Sequence, residues 1–192
     1  MRMPRAGRKL NMKLYEKTLH SKEVFKGRII DVTLDEVELE NGRKASREVV
    51  GHPGGVCVAA LTEENELLFV RQFRYPYHEV VLELPAGKLE PGQNPLENGK
   101  RELLEETGAV GHSYYPLGQL YPSPGYCAEI IHLYFCRVES VRQPSPDEDE
   151  FLNMEKIPLE KAVEMVLQNQ IPDAKTQTAV LKTALLLKSG TV

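Results

Sequence analysis

The chain has 192 residues, of which 41% are hydrophobic and 27% carry a charge. This length allows one domain with a hydrophobic core and a small additional region. The formal net charge is -4, and no sustained basic patch follows the first residues. Duplex nucleic acid is therefore excluded as the expected partner, because binding its phosphates requires clustered lysine and arginine, whereas a small phosphorylated ligand is compatible.

The cysteines and the hydropathy pattern indicate the cellular setting. Cys57, Cys127 and Cys136 show no C-x-x-C spacing, so neither a disulfide framework nor a structural zinc site is expected. No apolar stretch reaches the roughly 18 residues that spanning a bilayer requires, and the N-terminus has no apolar signal segment. We therefore expect a cytoplasmic protein with no membrane partner.

The N-terminal part of the chain is predicted to form a tail and a small sheet. Residues 1–14 are basic and are expected to be a flexible tail. Residues 15–52 contain two strand-like runs on either side of Asn41-Gly42, a dipeptide that favours the tight turn of a β-hairpin. Residues 53–192 are then expected to form the main domain.

The main domain is predicted to combine a mixed sheet with helices on its faces. Short β-rich runs bounded by Gly, Pro or charged residues predict strands over residues 56–61, 67–72, 80–84 and 130–138. Helices are predicted over residues 95–107, 159–168 and 174–187. In the first of these, Pro95 is acceptable in the first turn and Gly108 ends the helix.

The helix over residues 95–107 carries a cluster of carboxylates. Glu102 and Glu106 are four residues apart and share one face, so they can ligate one ion, with Glu105 beside them. Oxygen ligands favour Mg²⁺ or Mn²⁺ over zinc. Arg101 can reach Glu105 one turn later, either to orient the cluster or to contact a substrate.

Residues 87–109, GKLEPGQNPLENGKRELLEETGA, resemble the signature of the Nudix hydrolases, G-x5-E-x7-R-E-U-x-E-E-x-G-U, where U is a bulky aliphatic residue. Gly87 opens the motif, and residues 101–108 close it with the spacing intact. Gln93 stands where the pattern has its first glutamate, and Ala109 is smaller than the usual last residue. An amide brings no charge, so the number of metal ions stays open. The resemblance implies an α+β fold, an α/β/α sandwich with a mixed sheet plus a small N-terminal antiparallel sheet.

Within this family the chain is most similar to the ADP-ribose diphosphatases, over roughly residues 15–187. The shared landmarks are Arg47-Glu48, Gln72-Phe73-Arg74, Leu84-Pro85-Ala86-Gly87, Ser123-Pro124-Gly125 and Asp173-Ala174-Lys175-Thr176. Pro124 lies 15 residues after Ala109, a spacing that marks this subgroup. The resemblance implies Mg²⁺-dependent hydrolysis of the diphosphate of ADP-ribose to AMP and ribose 5-phosphate. It also implies a homodimer formed by exchange of the N-terminal hairpin, in which Arg47 reaches the partner's site.

The resemblance also implies residue roles at the reaction centre. The metal ligands would be the carbonyl of Ala86 and the carboxylates of Glu102, Glu106 and Glu150. Glu148 would be the general base in a mobile acidic loop, residues 147–150, although a different acid of that loop stays an alternative. Such a base needs hydrogen-bond reach to the attacking water, which closure of a loop can provide.

Substrate recognition is expected from two arginines and a glutamate. Arg47 and Arg74 can pair with phosphate bidentately, with a surface ion pair as the alternative for each. Glu129 matches a glutamate that the family uses near the terminal ribose, with a solvated strand-edge charge as the alternative. The chain has no tryptophan, with which some relatives clamp adenine, so Phe25, Ile29 or a tyrosine is the candidate replacement.

Two other functions remain open from the sequence. One is a hydrolase of the same mechanism that acts on another nucleoside diphosphate sugar, such as a GDP-sugar. The other is a catalytically silent ADP-ribose sensor. Gln93 favours the sensor, whereas the retained Glu102, Glu105 and Glu106 oppose it.

Overall fold

The computed structural model describes residues 14–90, 92–145 and 151–190. The chain divides into two compact units, Met1–Gly51 and His52–Val192. None of the helices in the described ranges is both long enough and apolar enough to cross a membrane.

The N-terminal unit contains a three-stranded antiparallel sheet. Its strands are β1 (Lys17–Lys26), β2 (Asp31–Glu38) and β3 (Lys44–Gly51), in the order β1-β2-β3. The predicted hairpin is confirmed as β2 and β3, but its connection is longer than a two-residue turn. The N–H of Leu39 bonds to the carbonyl of Arg43 at 2.8 Å, and Gly42 has a φ of 77°.

The second unit is built on a mixed sheet, as predicted, and this sheet has seven strands. Its order is β10-β5-β4-β9-β8, with β6 paired to β5 and β7 paired to β4, and only β4 and β9 run parallel. The strands are β4 (Gly55–Leu61), β5 (Glu66–Arg74), β6 (Glu79–Glu83), β7 (Ala86–Lys88), β8 (Ala109–Leu120), β9 (Ile131–Val141) and β10 (Asn153–Pro158).

The three predicted helices are confirmed as α1 (Pro95–Thr107), α2 (Leu159–Leu167) and α3 (Ala174–Lys188). Helix α1 begins and ends where its sequence predicts. The side chain of Asn94 accepts a hydrogen bond from the N–H of Leu96 at 2.9 Å and so caps the first turn. Gly108 adopts a φ of 71° after the last turn, a conformation that glycine reaches without steric cost.

The fully buried strand β4 separates two hydrophobic cores. Because successive side chains of a strand point to opposite faces, Cys57, Ala59 and Leu61 lie in one core and Val58 and Ala60 in the other. The first core includes residues of α2 and α3, and the second includes Leu103 of α1. Helices therefore cover both faces of the sheet, which confirms the predicted α/β/α sandwich.

Helix α1 lies unusually close to this strand at Gly99. A Cβ at this position would come within 2.9 Å of a methyl carbon of Val56 and within 3.1 Å of one of Val58. Glycine inside a helix costs about 1 kcal/mol relative to alanine. The close approach explains why the sequence accepts that cost, and it brings the carboxylates of α1 to the sheet.

Candidate active site

The strand β7 and the helix α1 meet at Ala86 and Glu106. The backbone N–H of Ala86 donates a hydrogen bond to Oε2 of Glu106 at 3.2 Å. Ala86 is itself held opposite Cys57 in the pairing of β7 with β4. The Glu106 carboxylate, although buried, is thereby fixed beside the start of β7.

The second carboxylate, that of Glu102, packs directly against Gly87. A Cβ at residue 87 would overlap this carboxyl group, so only glycine leaves room for it. The amide of Asn98 donates to the carbonyl of Lys88 at 3.2 Å and to Oε1 of Glu102 at 3.4 Å. Asn98 thus ties the same carboxylate to the strand.

Arg101 bridges the carboxylates on the solvent side of the helix. Its guanidinium donates to Oε1 of Glu102 and to Oε2 of Glu105, each at 2.5 Å, and to Asn98 at 3.1 Å. Burial disfavours the charged guanidinium, but the charges of Glu102 and Glu105 outweigh this effect and raise the pKa of Arg101. The predicted contact of Arg101 with Glu105 is present, whereas its two predicted roles, orienting the cluster and contacting a substrate, both stay predictions.

A cleft of about 310 Å³ opens beside these carboxylates. Ala86 and Gly87 line it, so it begins at the strand end that Glu102 and Glu106 contact. Its polar lining comes from six other side chains, namely His52, Arg74, Lys88, Glu129, Asp173 and Lys175. Its volume is in the lower part of the range of small-molecule sites.

One wall of the cleft carries an alternating set of charges. Nε and Nη2 of Arg74 donate to the two oxygens of Glu83 at 2.6 Å and 2.7 Å. Lys175 donates to Oε2 of the same glutamate and, at 3.0 Å, to Asp173. Burial opposes the charged form of Glu83, but the hydrogen bond from Arg74 and the charge of Lys175 outweigh it and hold the pKa of Glu83 below its ordinary value.

Another part of the cleft lining contains Glu129 and His52. The Nδ1 atom of His52 lies 3.4 Å from Oε1 of Glu129 and accepts a hydrogen bond from the N–H of Gly54 at 3.1 Å. Glu129 and His52 both line the cleft, and the role of Glu129 near a ribose stays a prediction.

Protein-family models match both parts of the chain. The model of the NUDIX domain matches residues 51–179. The chain belongs to the Nudix family. The model of the nucleoside diphosphate sugar hydrolase N-terminal domain matches residues 16–50 of this Nudix protein.

Several curated proteins are similar to this Nudix protein over most of its length. The ADP-ribose pyrophosphatase of Bacillus subtilis is 40% identical, over 87% of this chain and 91% of its own. The methanol dehydrogenase activator of Bacillus methanolicus is 41% identical, over 86% and 90%. The crystal structure of an ADP compounds hydrolase superposes with a TM-score of 0.79 at 20% identity, covering 92% of this chain and 97% of that one, and supports the fold.

The donor set of the site fits a divalent metal ion, which Nudix hydrolases generally use. Glu102 and Glu106 supply hard oxygen donors, and the carbonyl of Ala86 belongs to the residue whose N–H bonds to Glu106. The Glu102 carboxylate occupies the space that a Cβ at residue 87 would fill, so the backbone at Gly87 forms a close-fitting cradle for this carboxylate. Among residues 14–90, 92–145 and 151–190, no three His, Cys, Asp or Glu side chains are grouped to hold a metal, so further donors have to come from backbone or from elsewhere.

The predicted base Glu148 and metal ligand Glu150 lie outside the described residues. The chain that leads to them is attached to the Nudix helix. The N–H of Arg142 donates to the carbonyl of Gly108 at 2.7 Å, and the N–H of Ser145 donates to the carbonyl of Glu105 at 2.9 Å. The chain up to Ser145 is therefore held at the C-terminal end of α1.

Arg47 lies in the N-terminal unit and forms a surface ion pair. Its guanidinium donates to both oxygens of Glu16, at 2.8 Å and 2.5 Å. The hydrogen bond from Arg47 lowers the pKa of Glu16. Arg74 differs, because it lies at the cleft of the Nudix unit; substrate binding by either arginine stays a prediction.

No role was predicted from the sequence for Glu83 or His52, and Asp173 and Lys175 were marked only as landmarks of the family resemblance. A signal for Glu83 was available, because it is a charged residue inside an apolar predicted strand, and buried charges require partners. The partners could not be read from the sequence, since Lys175 is 92 positions away from Glu83.

Proposed function

We propose that this Nudix hydrolase cleaves the diphosphate of ADP-ribose with Mg²⁺ and releases AMP and ribose 5-phosphate. The observation that carries the proposal is the position of Glu102 and Glu106 against Ala86 and Gly87, at the edge of a cleft that Arg74 also lines. The substrate follows from similarity: the relative from Bacillus subtilis and a 30% identical one from Mycobacterium tuberculosis are both named ADP-ribose pyrophosphatase.

The metal ligands in this proposal are Glu102, Glu106, the carbonyl of Ala86, and Glu150. When bound, a divalent cation supplies neutralisation of the diphosphate oxygens and acidification of water. The helix carboxylates are held by Ala86, Asn98 and Arg101, so little rearrangement is needed to bind a cation.

The reaction consumes one water molecule. The water oxygen forms a new bond to one phosphorus atom, and the bond from that phosphorus to the bridging oxygen breaks. The proton of the water passes to the general base, and the leaving phosphate takes the bridging oxygen with its electron pair. We assign the base to Glu148, with Glu105 and Arg101 as the remaining catalytic residues. Glu105 has Arg101 as its partner, which makes it the weaker candidate for the base.

The substrate-binding residues of the proposal are Arg74, Glu129 and Arg47. Arg74 and Glu129 line the same cleft as Ala86, so one ligand can span all three. Guanidinium binds phosphate bidentately, and a carboxylate accepts hydrogen bonds from ribose hydroxyls. The contribution of Arg47 depends on the dimer proposed below.

A GDP-sugar is the alternative substrate. A GDP-mannose pyrophosphatase of Yersinia enterocolitica is 31% identical over 82% of this chain. A panel of ADP-ribose, GDP-mannose and other nucleoside diphosphate sugars, with phosphatase-coupled detection of products, separates the two. A kcat/KM for GDP-mannose equal to or above that for ADP-ribose would reject our choice.

The central experiment is turnover of ADP-ribose with Mg²⁺ by the wild type, Glu106→Gln and Glu148→Gln. We expect each variant to lose about 100-fold or more in kcat, because one lacks a metal carboxylate and the other the base. Glu97→Gln is the matched control, since Glu97 is on the same helix but pairs with Lys100 at the surface. Normal turnover by Glu106→Gln would show the metal assignment to be wrong, and a fully active Glu148→Gln would move the base to Glu150 or Glu105.

The same experiment tests the silent-sensor alternative. A sensor binds ADP-ribose without turning it over under any divalent metal. Calorimetric binding by a wild type that shows no turnover would therefore favour the sensor, and measurable turnover removes it.

We further propose that the N-terminal unit mediates a homodimer and that exchange of its hairpin brings Arg47 to the partner's cleft. A small sheet needs a hydrophobic face or a packing partner to be stable by itself, and every residue of β1 is exposed. The exposed large apolar side chains of this unit include Leu19, Val24, Phe25, Ile29, Ile30 and Leu34, and apolar patches on a surface mark interaction sites. A location in the cytoplasm belongs to the same proposal, and the free cysteines Cys57, Cys127 and Cys136 are compatible with a reducing compartment.

Sedimentation tests the dimer. At micromolar concentration the wild type is expected at twice the chain mass of 21.7 kDa. Phe25→Lys is expected to shift it toward the monomer, because a charge would be placed in the apolar contact, whereas Lys22→Gln on the same strand is the control. A wild type that sediments as a monomer would rule out the dimer.

A further inference from the structure

The charged wall of the cleft contains a lysine to which the proposed reaction gives no role. Lys175 lies in the first turn of α3, and its side chain is 13% exposed. Its ammonium group donates to Glu83 and Asp173, two carboxylates from different parts of the fold. Burial lowers its pKa, but the charges of Asp173 and Glu83 outweigh burial, so the pKa of Lys175 lies above its ordinary value and the group is charged.

Glu83 is the hub of this arrangement. Its side chain is 3% exposed, and its Oε2 atom accepts from both Arg74 and Lys175. A carboxylate buried to this degree is held in place by its cationic partners. Lys175 and Arg74 therefore share one acceptor, and the position of the carboxylate depends on both.

Lys175 and Arg74 differ in how many of their N–H donors are already used. An ammonium has three donors, and two of those of Lys175 are used by carboxylates. A guanidinium has five donors, and Arg74 uses two of them on Glu83. Within the described ranges the structure gives Arg74 no second acceptor, so the remaining donors are available to a ligand in the cleft.

The charge balance leads to the same division of roles. Arg74 and Lys175 together match Glu83 and Asp173, so the set adds no net charge to the cleft. Its effect is geometric. The two hydrogen bonds from Arg74 to Glu83 hold the long side chain of Arg74 in one orientation before a ligand binds. Ordering a side chain in advance removes that cost from binding.

We propose that Lys175 is a positioning residue, which acts through Glu83 to hold the guanidinium of Arg74 for a phosphate of the substrate. Asp173 assists by accepting from Lys175 while its other oxygen caps α3 through the N–H of Thr176 at 2.9 Å. This inference rests on the proposed function, because the diphosphate of a nucleoside diphosphate sugar is the anion that Arg74 would bind.

The test is a double-mutant cycle on the full-length protein, with KM and kcat for ADP-ribose measured for the wild type, Lys175→Met, Arg74→Gln and the double variant. We expect Lys175→Met to raise KM about tenfold with kcat changed less than about threefold, because a binding contact is misplaced and not a reacting group. In the Arg74→Gln background the lysine change should add less than about twofold, since its effect passes through Arg74.

Two further variants distinguish positioning from folding. Lys182→Met removes a lysine on the same helix that donates to the carbonyl of Leu117 at 2.6 Å, and it should leave KM unchanged. Lys175→Arg keeps the charge and should restore KM to within about threefold of the wild type. If Lys175→Met does not fold, Glu83→Gln takes its place in the cycle with the same expectations.

Several results would overturn the inference. They are an unchanged KM in folded Lys175→Met, a loss of kcat at constant KM, effects that multiply in the double variant, and failure of Lys175→Arg to restore KM. A wild type that hydrolyses no nucleoside diphosphate sugar would instead reject the proposed function. An active wild type that is insensitive to Lys175→Met rejects only the role of Lys175.

Discussion

The backbone N–H of Ala86 donates to the carboxylate of Glu106 across 3.2 Å, although the two residues are 20 positions apart. This bond joins a strand that enters the Nudix motif to the last turn of the motif helix. The motif is therefore one packed unit, in which glycine, backbone and carboxylate positions depend on each other.

Gly87→Ala tests the space that the glycine provides. The added Cβ would overlap the Glu102 carboxyl group, so the helix or the side chain must move. Overpacking typically costs about 1–3 kcal/mol, and displacement of a metal carboxylate should lower kcat by about tenfold or more. Melting temperature and turnover are the measurements. Gly125→Ala is the control, because a Cβ at that position meets nothing within 4 Å; equal kcat in the two variants would contradict the cradle.

Gln93→Glu tests the departure from the family pattern. Gln93 is exposed, and its backbone N–H bonds to the carbonyl of Glu90 at 3.1 Å in the turn before α1. We expect restoration of the carboxylate to raise kcat/KM less than about tenfold, because an exposed charge is screened by water. Titration of activity with Mg²⁺ would reveal any change in metal requirement. A larger gain would mean that Gln93 is a real handicap to the site.

Gly99→Ala tests the close packing of α1 on β4. Alanine favours a helix by about 1 kcal/mol over glycine, but its Cβ would lie 2.9 Å from the β-branched side chain of Val56. We expect the steric effect to prevail, with a net loss of about 1–3 kcal/mol in the free energy of unfolding. Denaturant unfolding measures it, and an increase in stability would show that the sheet accommodates the methyl group.

Glu83→Gln tests the buried ion pairs through pH. The pKa of Glu83 is below its ordinary value of 4.5, so its contribution to stability is complete above that pH and is lost as the pH falls through the lower folded-state pKa. At about pH 7 the variant should be less stable by about 3 kcal/mol, because removal of one partner leaves buried cations uncompensated. The difference should shrink as the pH falls below 4.5. A difference in melting temperature that is constant across this range would contradict the assignment.

The fold class and the motif could be predicted because local sequence signals encode them. Contacts between residues that are far apart in the sequence could not. Helix α1 was predictable because Pro95 and Gly108 mark its ends in the sequence itself. Strand β8 was missed because Pro116 and Gly118 interrupt its pattern, and its pairing with β9 shifts register there.

The same distinction holds at the site. Glu102 and Glu106 were predicted because the helix period alone places them on one face. Strand β1 shows the opposite case, since all its residues are exposed and no alternation marks it. The pairing of Glu83 with Lys175 depends on how β6 and α3 are brought together, which no local pattern encodes.

The hydrogen bond from the N–H of Ser145 to the carbonyl of Glu105 attaches the chain to the end of α1. Ser145 is thereby fixed to the helix that carries the predicted metal ligands Glu102 and Glu106. A chain spans at most about 3.6 Å per residue, so three further residues can extend at most about 11 Å from Ser145, measured between Cα atoms. Residues inserted between Ser145 and Glu148 would lengthen this reach. They would lower the effective concentration of the proposed base near the attacking water, with no change to any residue of the motif.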